Sequence, residues 1–446
     1  MLNVSTIAVA LSYLYDGPEF DVHTVVTDSR KVQEGCLFAA IKGERVDGHS
    51  FIPALDQTYN NIVFLVSEPP EEELKNPCFV VDDVREGLGF IAKAHLAQLD
   101  AKIIGVTGSV GKTTTKNFIL SALNAAIKAS GTAGNMNNEL GVPLTALAVS
   151  EQDRAAVVEM GMRGLGQIEY LTRFVRPDIA VITNIGVAHL ELLKSRTNIA
   201  RAKLELVDAL SADGIALLNG DEPLLYQARA DKKCLYFGFS EYNDYRAENI
   251  NGTTFDLHYP DGVLSVTLQP EGEHQIMNAL AAFGVGHLLG IDASLLKKGL
   301  EAFEGDGRRM FTETVGEITV IDDSYNASPD SMEAALKVLA AKSGRRVAVL
   351  GDMLELGSFE QQGHRQIGAL CGELKIDAVV AIGTLAKELY KALPDEMEKY
   401  YVSDRAEALT AILHAVSAGD TVLFKASNSM NFQQLANSLK ERMKNQ

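Results

Sequence analysis

From Thr107 to Lys116 the chain reads TGSVGKTTTK, between the apolar run Lys102 to Val106 and the amphipathic stretch NFILSALNAAI. A strand, a glycine loop and a helix in that order suit a polyphosphate. Gly108 and Gly111 let backbone amides approach phosphate oxygens, Lys112 can bridge the β- and γ-phosphates, and Thr113 can hold Mg²⁺ at a helix N-terminus. The common loop G-x-x-x-x-G-K-[ST] would need glycine at position 106, where Val106 stands, so this is the shorter form G-x-x-G-K-T.

Other groups could complete a metal site. In AAVVEMGM, Glu159 follows an apolar strand and falls at the carboxyl edge of a sheet, where a carboxylate can hold Mg²⁺ directly or through water. TNIGVAHLE repeats the arrangement with His189. Lys203, in IARAKLEL, reads by itself as a solvated lysine on a helix. The polar turn NMNNELGVP, residues 135–143, connects two elements and could line the phosphate side of a cleft. These groups permit either hydrolysis or transfer of a γ-phosphoryl group, and their types do not separate the two.

The elements that must position them divide into three α/β units with expected boundaries near 98 and 310. Residues 1–98 mix short apolar runs (Cys36 to Ile41, Ile62 to Val66, Cys78 to Val81) with turn residues and end in a helix predicted over Val84 to Leu99. Residues 99–310 carry buried strands that run into glycine-rich or polar turns (KIIGVTGS, AAVVEMG, DIAVITNIG, GIALLNGD), a parallel-sheet pattern. YRAENI, TTFDLHY and VLSVTLQ then alternate and predict antiparallel hairpins beside that sheet, before a helix around Ile276 to Leu289. Residues 311–446 repeat a strand–helix rhythm through ITVIDD, VAVLGDM, AVVAIG and DTVLFKAS, which reads as a Rossmann-like doubly wound domain.

Composition narrows the function classes. Of 446 residues, 46% are apolar and 22% charged, as in ordinary globular domains, and 41 Lys and Arg against 59 Asp and Glu leave a net charge of −18. No basic patch offsets that charge, which argues against a nucleic-acid partner; Lys342 to Arg346 and Lys440 to Lys444 read as solvated helix ends. The four cysteines lie far apart with no C-x-x-C pair, the start lacks a basic n-region, and no apolar run approaches the ~18 to 20 residues of a membrane span. A cytoplasmic protein is the expectation.

Taken together, TGSVGKTTTK, NNELGVP, VVEMGM, TNIGVAHLE, the pair Ala202-Lys203, LNGDEP, GEHQIMNALAA and DDSYNASPDSM resemble, in order and along essentially the whole chain, the Mur ligase family of ATP-dependent amide-forming enzymes. DSRKVQEGCLFAAIKGERVDGHSFI, DDSYNASPDSM and VLGDMLELG are similar to its dipeptide-adding member. The resemblance implies addition of D-alanyl-D-alanine to UDP-N-acetylmuramoyl-tripeptide through an acyl phosphate, in peptidoglycan precursor synthesis. It also implies that Gly108, Ser109, Val110, Gly111, Lys112, Thr113 and Thr114 cradle ATP, that Thr113, Glu159 and His189 surround magnesium (two ions), and that Lys203 is carbamylated and joins them. Asn278 would contact adenine, and Asp323, Tyr325 and Asn326 the ribose and phosphates, while Arg308 and Arg309 compete to reach the γ-phosphate. Ser29, Arg30, Lys42, Gly43, Asp47, His49, Asn137 and Asn138 would contact the muramyl substrate.

The same resemblance implies a monomer whose first domain holds the uridine diphosphate end, whose second binds ATP, and whose third closes over nucleotide and incoming dipeptide. Two departures bear on it. Where the family shows K-G-S-R this chain has Lys425, Ala426, Ser427 and Asn428, and no D-N-P-R stretch is present, which favours the dipeptide-adding reading. The rivals are another amino-acid-adding or folylpolyglutamate-synthase-like ligase, and a non-catalytic ATP-binding switch.

Overall fold

In the computed structural model, residues 2–227, 232–305 and 309–444 are described. Three sheets organise them. Strands β1 (Thr24–Val26), β2 (Cys36–Ala39), β3 (Val63–Val66) and β4 (Cys78–Val80) form the first, in sequential order and all parallel. Burial of β2 and β3 along their whole length requires cover on both faces, and two apolar clusters supply it. The helix that closes this unit is Val84–Leu96, three residues shorter than predicted. Asp83 caps its N-terminus, accepting from the Arg85 and Glu86 amides; Leu99, beyond the helix end, still packs against an apolar cluster of the second unit.

The second sheet has nine strands: β5 (Lys102–Thr107), β6 (Ala129–Gly131), β7 (Ala155–Glu159), β8 (Ile179–Ile182), β9 (Ile215–Asn219), β10 (Lys233–Gly238), β11 (Tyr245–Asn251), β12 (Thr254–Tyr259) and β13 (Gly262–Thr267). Their order is β13-β12-β11-β10-β9-β8-β5-β7-β6. The pairs from β6 through β10 to β11 are parallel, and β11, β12 and β13 pair antiparallel. The predicted hairpins are therefore not a separate unit but the continuation of this sheet. Alternating burial in β12 and β13 marks one wet face, whereas β5, β7 and β8 are apolar and covered on both sides. Strand β5 stands where the order reverses, with β7 on one side and β8 on the other, so the loop leaving it opens into the crevice such sheets use for ligands.

The third sheet runs β14-β15-β19-β16-β17-β18, from β14 (Phe311–Val315), β15 (Ile318–Asp322), β16 (Arg346–Gly351), β17 (Ala378–Ile382), β18 (Glu398–Val402) and β19 (Thr421–Lys425). All neighbours are parallel except the β14–β15 hairpin. The two edge strands escape the sequence pattern because they are polar and partly exposed, FTETV and EKYYV. The basic clusters also differ from the solvated ends expected. Arg345 bonds Asp420 and Glu398, Arg346 opens β16 and bonds Asp377, and Lys440 is paired with Glu313 at 3.0 Å. No described helix is long and apolar enough to cross a membrane.

Candidate active site

The loop after β5 is built by close approach. A Cβ on Gly108 would collide with the Thr183 hydroxyl, and Gly111, at φ +81, is the left-handed residue that starts helix Lys112–Asn124. The loop is tied to the end of β8: Ser109 and Val110 amides each donate to Asn184 Oδ1 at 3.0 Å, and Thr183 Oγ1 donates to Val110 O at 2.6 Å. Sequence reasoning missed Thr183 and Asn184, although the TN of TNIGVAHLE is the signal that could have found them. Lys112 Nζ curls back to Gly108 O at 2.8 Å and Ser109 O at 3.3 Å. Burial lowers its pKa, nearby Glu159 pulls it up, and Arg309 pushes it down again.

Glu159, at the carboxyl end of β7, is 1% exposed and accepts from Thr113 Oγ1 at 2.7 Å and Asn137 Nδ2 at 2.8 Å. A carboxylate with a threonine hydroxyl beside it is a donor set that fits Mg²⁺, which takes oxygen ligands from one or two carboxylates and hydroxyls and otherwise keeps its water. Among the described residues no group of three or more His, Cys, Asp or Glu could by itself hold a metal ion. Asn138 does a local job, accepting the Gly141 amide at 2.9 Å, while still lining the cavity described below.

His189 sits in the left-handed region at φ +62, its Nδ1 3.0 Å from Glu355 Oε2 of the third unit. Burial pushes its pKa down to about 4, against the opposing pull of Glu355. Lys203 corrects the sequence reading. On helix Arg196–Asp208 it faces inward, is 2% exposed, and is held well below the usual lysine range by burial and then by Lys112. Its helix packs an apolar face under the sheet, and Lys203 lies on that face among Ile199, Ala200, Ala202, Leu206 and Val207, which a lone lysine in a mixed stretch does not reveal.

From the third unit, Arg309 stacks its guanidinium 4.1 Å from the centre of the Tyr325 ring. Arg308 lies outside the described residues. Asp323 accepts from Lys425 Nζ at 2.5 Å and from the Met310 amide at 3.2 Å, and Lys425 also donates to Asn326 O at 3.0 Å. Asn278, predicted to meet adenine, is 7% exposed and accepts from Thr115 Oγ1 at 2.9 Å. His274, one turn earlier, is pushed down to about 4 chiefly by burial. Asp330, also unforeseen, accepts the Val187 amide at 3.3 Å and so touches the second unit.

One cavity of 1430 Å³ is lined by Ser109 to Thr114, Asn137, Asn138, Glu159, His189, Asn278, Arg309, Asp323, Tyr325 and Asn326. The first-unit candidates are elsewhere. Arg30 folds onto Asp28 beside Ser29, Gly43 closes a turn on Val46, Lys42 reaches Glu68, and His49 is held between Asp47 and the Ser67 amide. From that unit the cavity wall takes Asp83 and Arg85.

The Mur ligase middle domain model matches residues 106–286, the Mur ligase family catalytic domain model 21–96, and the Mur ligase glutamate ligase domain model 307–428. The UDP-N-acetylmuramoyl-tripeptide–D-alanyl-D-alanine ligase of Bacillus subtilis is 38% identical, covering 98% of each chain. The chain belongs to the Mur ligase family. The enzyme of the same name from Escherichia coli is 34% identical over 98% of this chain and 99% of its own. Among solved structures, MurF from Acinetobacter baumannii superposes with a TM-score of 0.90 at 32% identity, covering 98% of both chains. MurF ligase from Thermotoga maritima, solved with ADP, gives 0.85 at 27% identity over 95% of this chain and 98% of its own. The three α/β domains expected from the strand patterns are those of this ligase fold.

Proposed function

We propose that this Mur ligase joins D-alanyl-D-alanine to UDP-N-acetylmuramoyl-tripeptide, using ATP. The observation that carries the reading is a phosphate loop, a buried carboxylate and third-domain groups converging on one cavity, in a chain alike over 98% of its length to ligases of that name. The tripeptide carboxylate attacks the γ-phosphorus and ADP leaves, giving an acyl phosphate. The dipeptide amine then attacks the acyl carbon, the C–N bond forms, the C–O bond to phosphate breaks, and phosphate and a proton are released. Lys112 and Arg309 offset charge on the transferring group, and the amides of the loop hold the phosphates, so catalysis rests on positioning and electrostatics.

Thr113 and Glu159 are the groups that would hold Mg²⁺, with His189 beside them. The ion, when bound, supplies charge neutralisation and orientation of the phosphates. Lys203 suits carbamylation: burial and the nearby Lys112 both disfavour its charged form and so favour the neutral amine that adds CO₂, and the product is an anion beside Lys112. Protein equilibrated with ¹³C-bicarbonate is expected to show one carbamate carbon resonance that disappears in Lys203→Arg; its persistence in that variant would place the carbamate elsewhere.

We assign domains to 1–98, 99–310 and 311–446, a division that the three sheets support, and uridine-nucleotide binding to the first domain, with Ser29, Arg30, Lys42, Gly43, Asp47 and His49 at a station separate from the phosphate cavity. A long nucleotide-linked peptide can bridge the two. The four cysteines, none of them paired, support a reducing cytoplasm. The deciding assay is amide formation and phosphate release with Mg-ATP, varying acceptor and amine separately. Turnover should require both the muramyl tripeptide and D-alanyl-D-alanine. Acceptance of single amino acids would reassign the member, and ATPase activity indifferent to both would refute the ligase reading.

A further inference from the structure

The wall that the third domain gives to the cavity carries an acid that the scheme above does not use. Glu355 lies after β16 at φ +64, in the left-handed region, and Gly357 two residues on is so close to Glu191 of the second domain that a Cβ there would meet its Cβ and Cα at 2.8 and 2.9 Å. The turn is thus seated against the second domain. Its carboxylate lines the cavity, 3.0 Å from His189 and 4.0 Å from Arg163, with the side chain 53% exposed.

The other acids of the wall are differently engaged. Glu159 holds Thr113 and Asn137, Asp323 is bound to buried Lys425, Asp330 takes the Val187 amide, and Asp83 caps a helix. Glu139 is exposed, on the Asn-rich turn of the second domain. Glu355 alone among them combines an open carboxylate with a place beside His189 on the third-domain side.

The second half of the reaction brings a cation into this space. The incoming amine arrives at neutral pH as an ammonium, and the cavity already holds Lys112, Arg163 and Arg309, which repel it. We propose that Glu355 binds the ammonium of the incoming dipeptide at the third-domain wall, facing the acyl phosphate at Lys112; the ammonium gives one proton to water, and the free amine then attacks the acyl carbon. The inference rests on the ligase reading above and adds an amine-binding residue to it.

The test measures steady-state kinetics of wild type, Glu355→Gln and Glu355→Asp with Mg-ATP, muramyl tripeptide and D-alanyl-D-alanine. The glutamine variant should raise KM for the dipeptide at least tenfold, leave KM for ATP and for the muramyl substrate within twofold, and be partly rescued by aspartate. A dipeptide KM within twofold of wild type in Glu355→Gln, or a parallel rise in all three KM values, would overturn the inference alone, the latter by making Glu355 a tie between domains. A wild-type protein that forms no amide from this pair would overturn the ligase reading and the inference with it.

Discussion

Lys112 is held over the phosphate loop by two carbonyls of the loop itself, at 2.8 and 3.3 Å, and those bonds must be exchanged for phosphate oxygens when nucleotide enters. Its charge matters most when negative charge develops on the transferring group. Lys112→Ala is therefore expected to lower kcat about 10²- to 10³-fold, the range for loss of one preorganised electrostatic contact. Phosphate release in the presence of both substrates measures it, with circular dichroism confirming the fold; a loss under tenfold would remove Lys112 from the transfer step. Residue types and spacing identified Lys112, Thr113 and Glu159, because loop and strand-end contexts are local. They did not identify Asn184 or Asp330, whose partners lie 75 and 143 positions away.

At the scale of elements, the third sheet presents its site through a buried pair. Lys425, at the end of β19, and Asp323, just after β15, are 2% and 8% exposed, and the lysine also holds Asn326. Removing one member of a buried pair leaves the other charge uncompensated, a cost of about 3 to 5 kcal/mol, reduced here because Asp323 faces the cavity and can take water. Lys425→Met should destabilise by about 2 to 3 kcal/mol on that reasoning, and adding Asp323→Asn should recover part of it. Thermal melts of the single and double variants decide, and a single variant melting with wild type would make the pair stabilising in appearance only.

Asp221, after β9, joins neighbouring elements in another way, accepting the Phe239 amide at 2.6 Å, the Ser240 amide at 3.1 Å and Asn243 Nδ2 at 2.9 Å. Burial raises its pKa, but those bonds outweigh it and the carboxyl titrates below the ordinary value. With the folded pKa below the unfolded one, its contribution is complete above the unfolded value and lost as pH falls through the folded one. Asp221→Ala should cost about 1 to 3 kcal/mol at pH 7, and the gap to wild type should narrow below about pH 4. Urea unfolding at pH 7 and pH 3.5 checks this; a gap independent of pH would show that packing rather than charge is responsible.

For the whole molecule, the cavity is bounded by groups from all three domains, and the third meets the second through Glu355, Gly357 and Asp330. Substrate that touches both sides favours whichever arrangement brings them together. ATP with the muramyl tripeptide should reduce the radius of gyration in small-angle scattering. An unchanged radius would mean that the arrangement seen here is already the working one.

What the sequence by itself determined was the set of local units. Apolar runs ending in glycine turns mark buried parallel strands, the spacing of TGSVGKTTTK marks the phosphate loop, and motif order marks the family, since each signal lies within a dozen or so residues. Tertiary structure alone decided where long-range partners meet. Lys203 reads as solvated until its helix packs against the second sheet and removes it from water. Arg309 finds Tyr325, and His189 finds Glu355, only when two sheets face each other. Strands β14 and β18 have no apolar signature because edge strands owe their stability to one neighbour's backbone bonds rather than to burial on two faces.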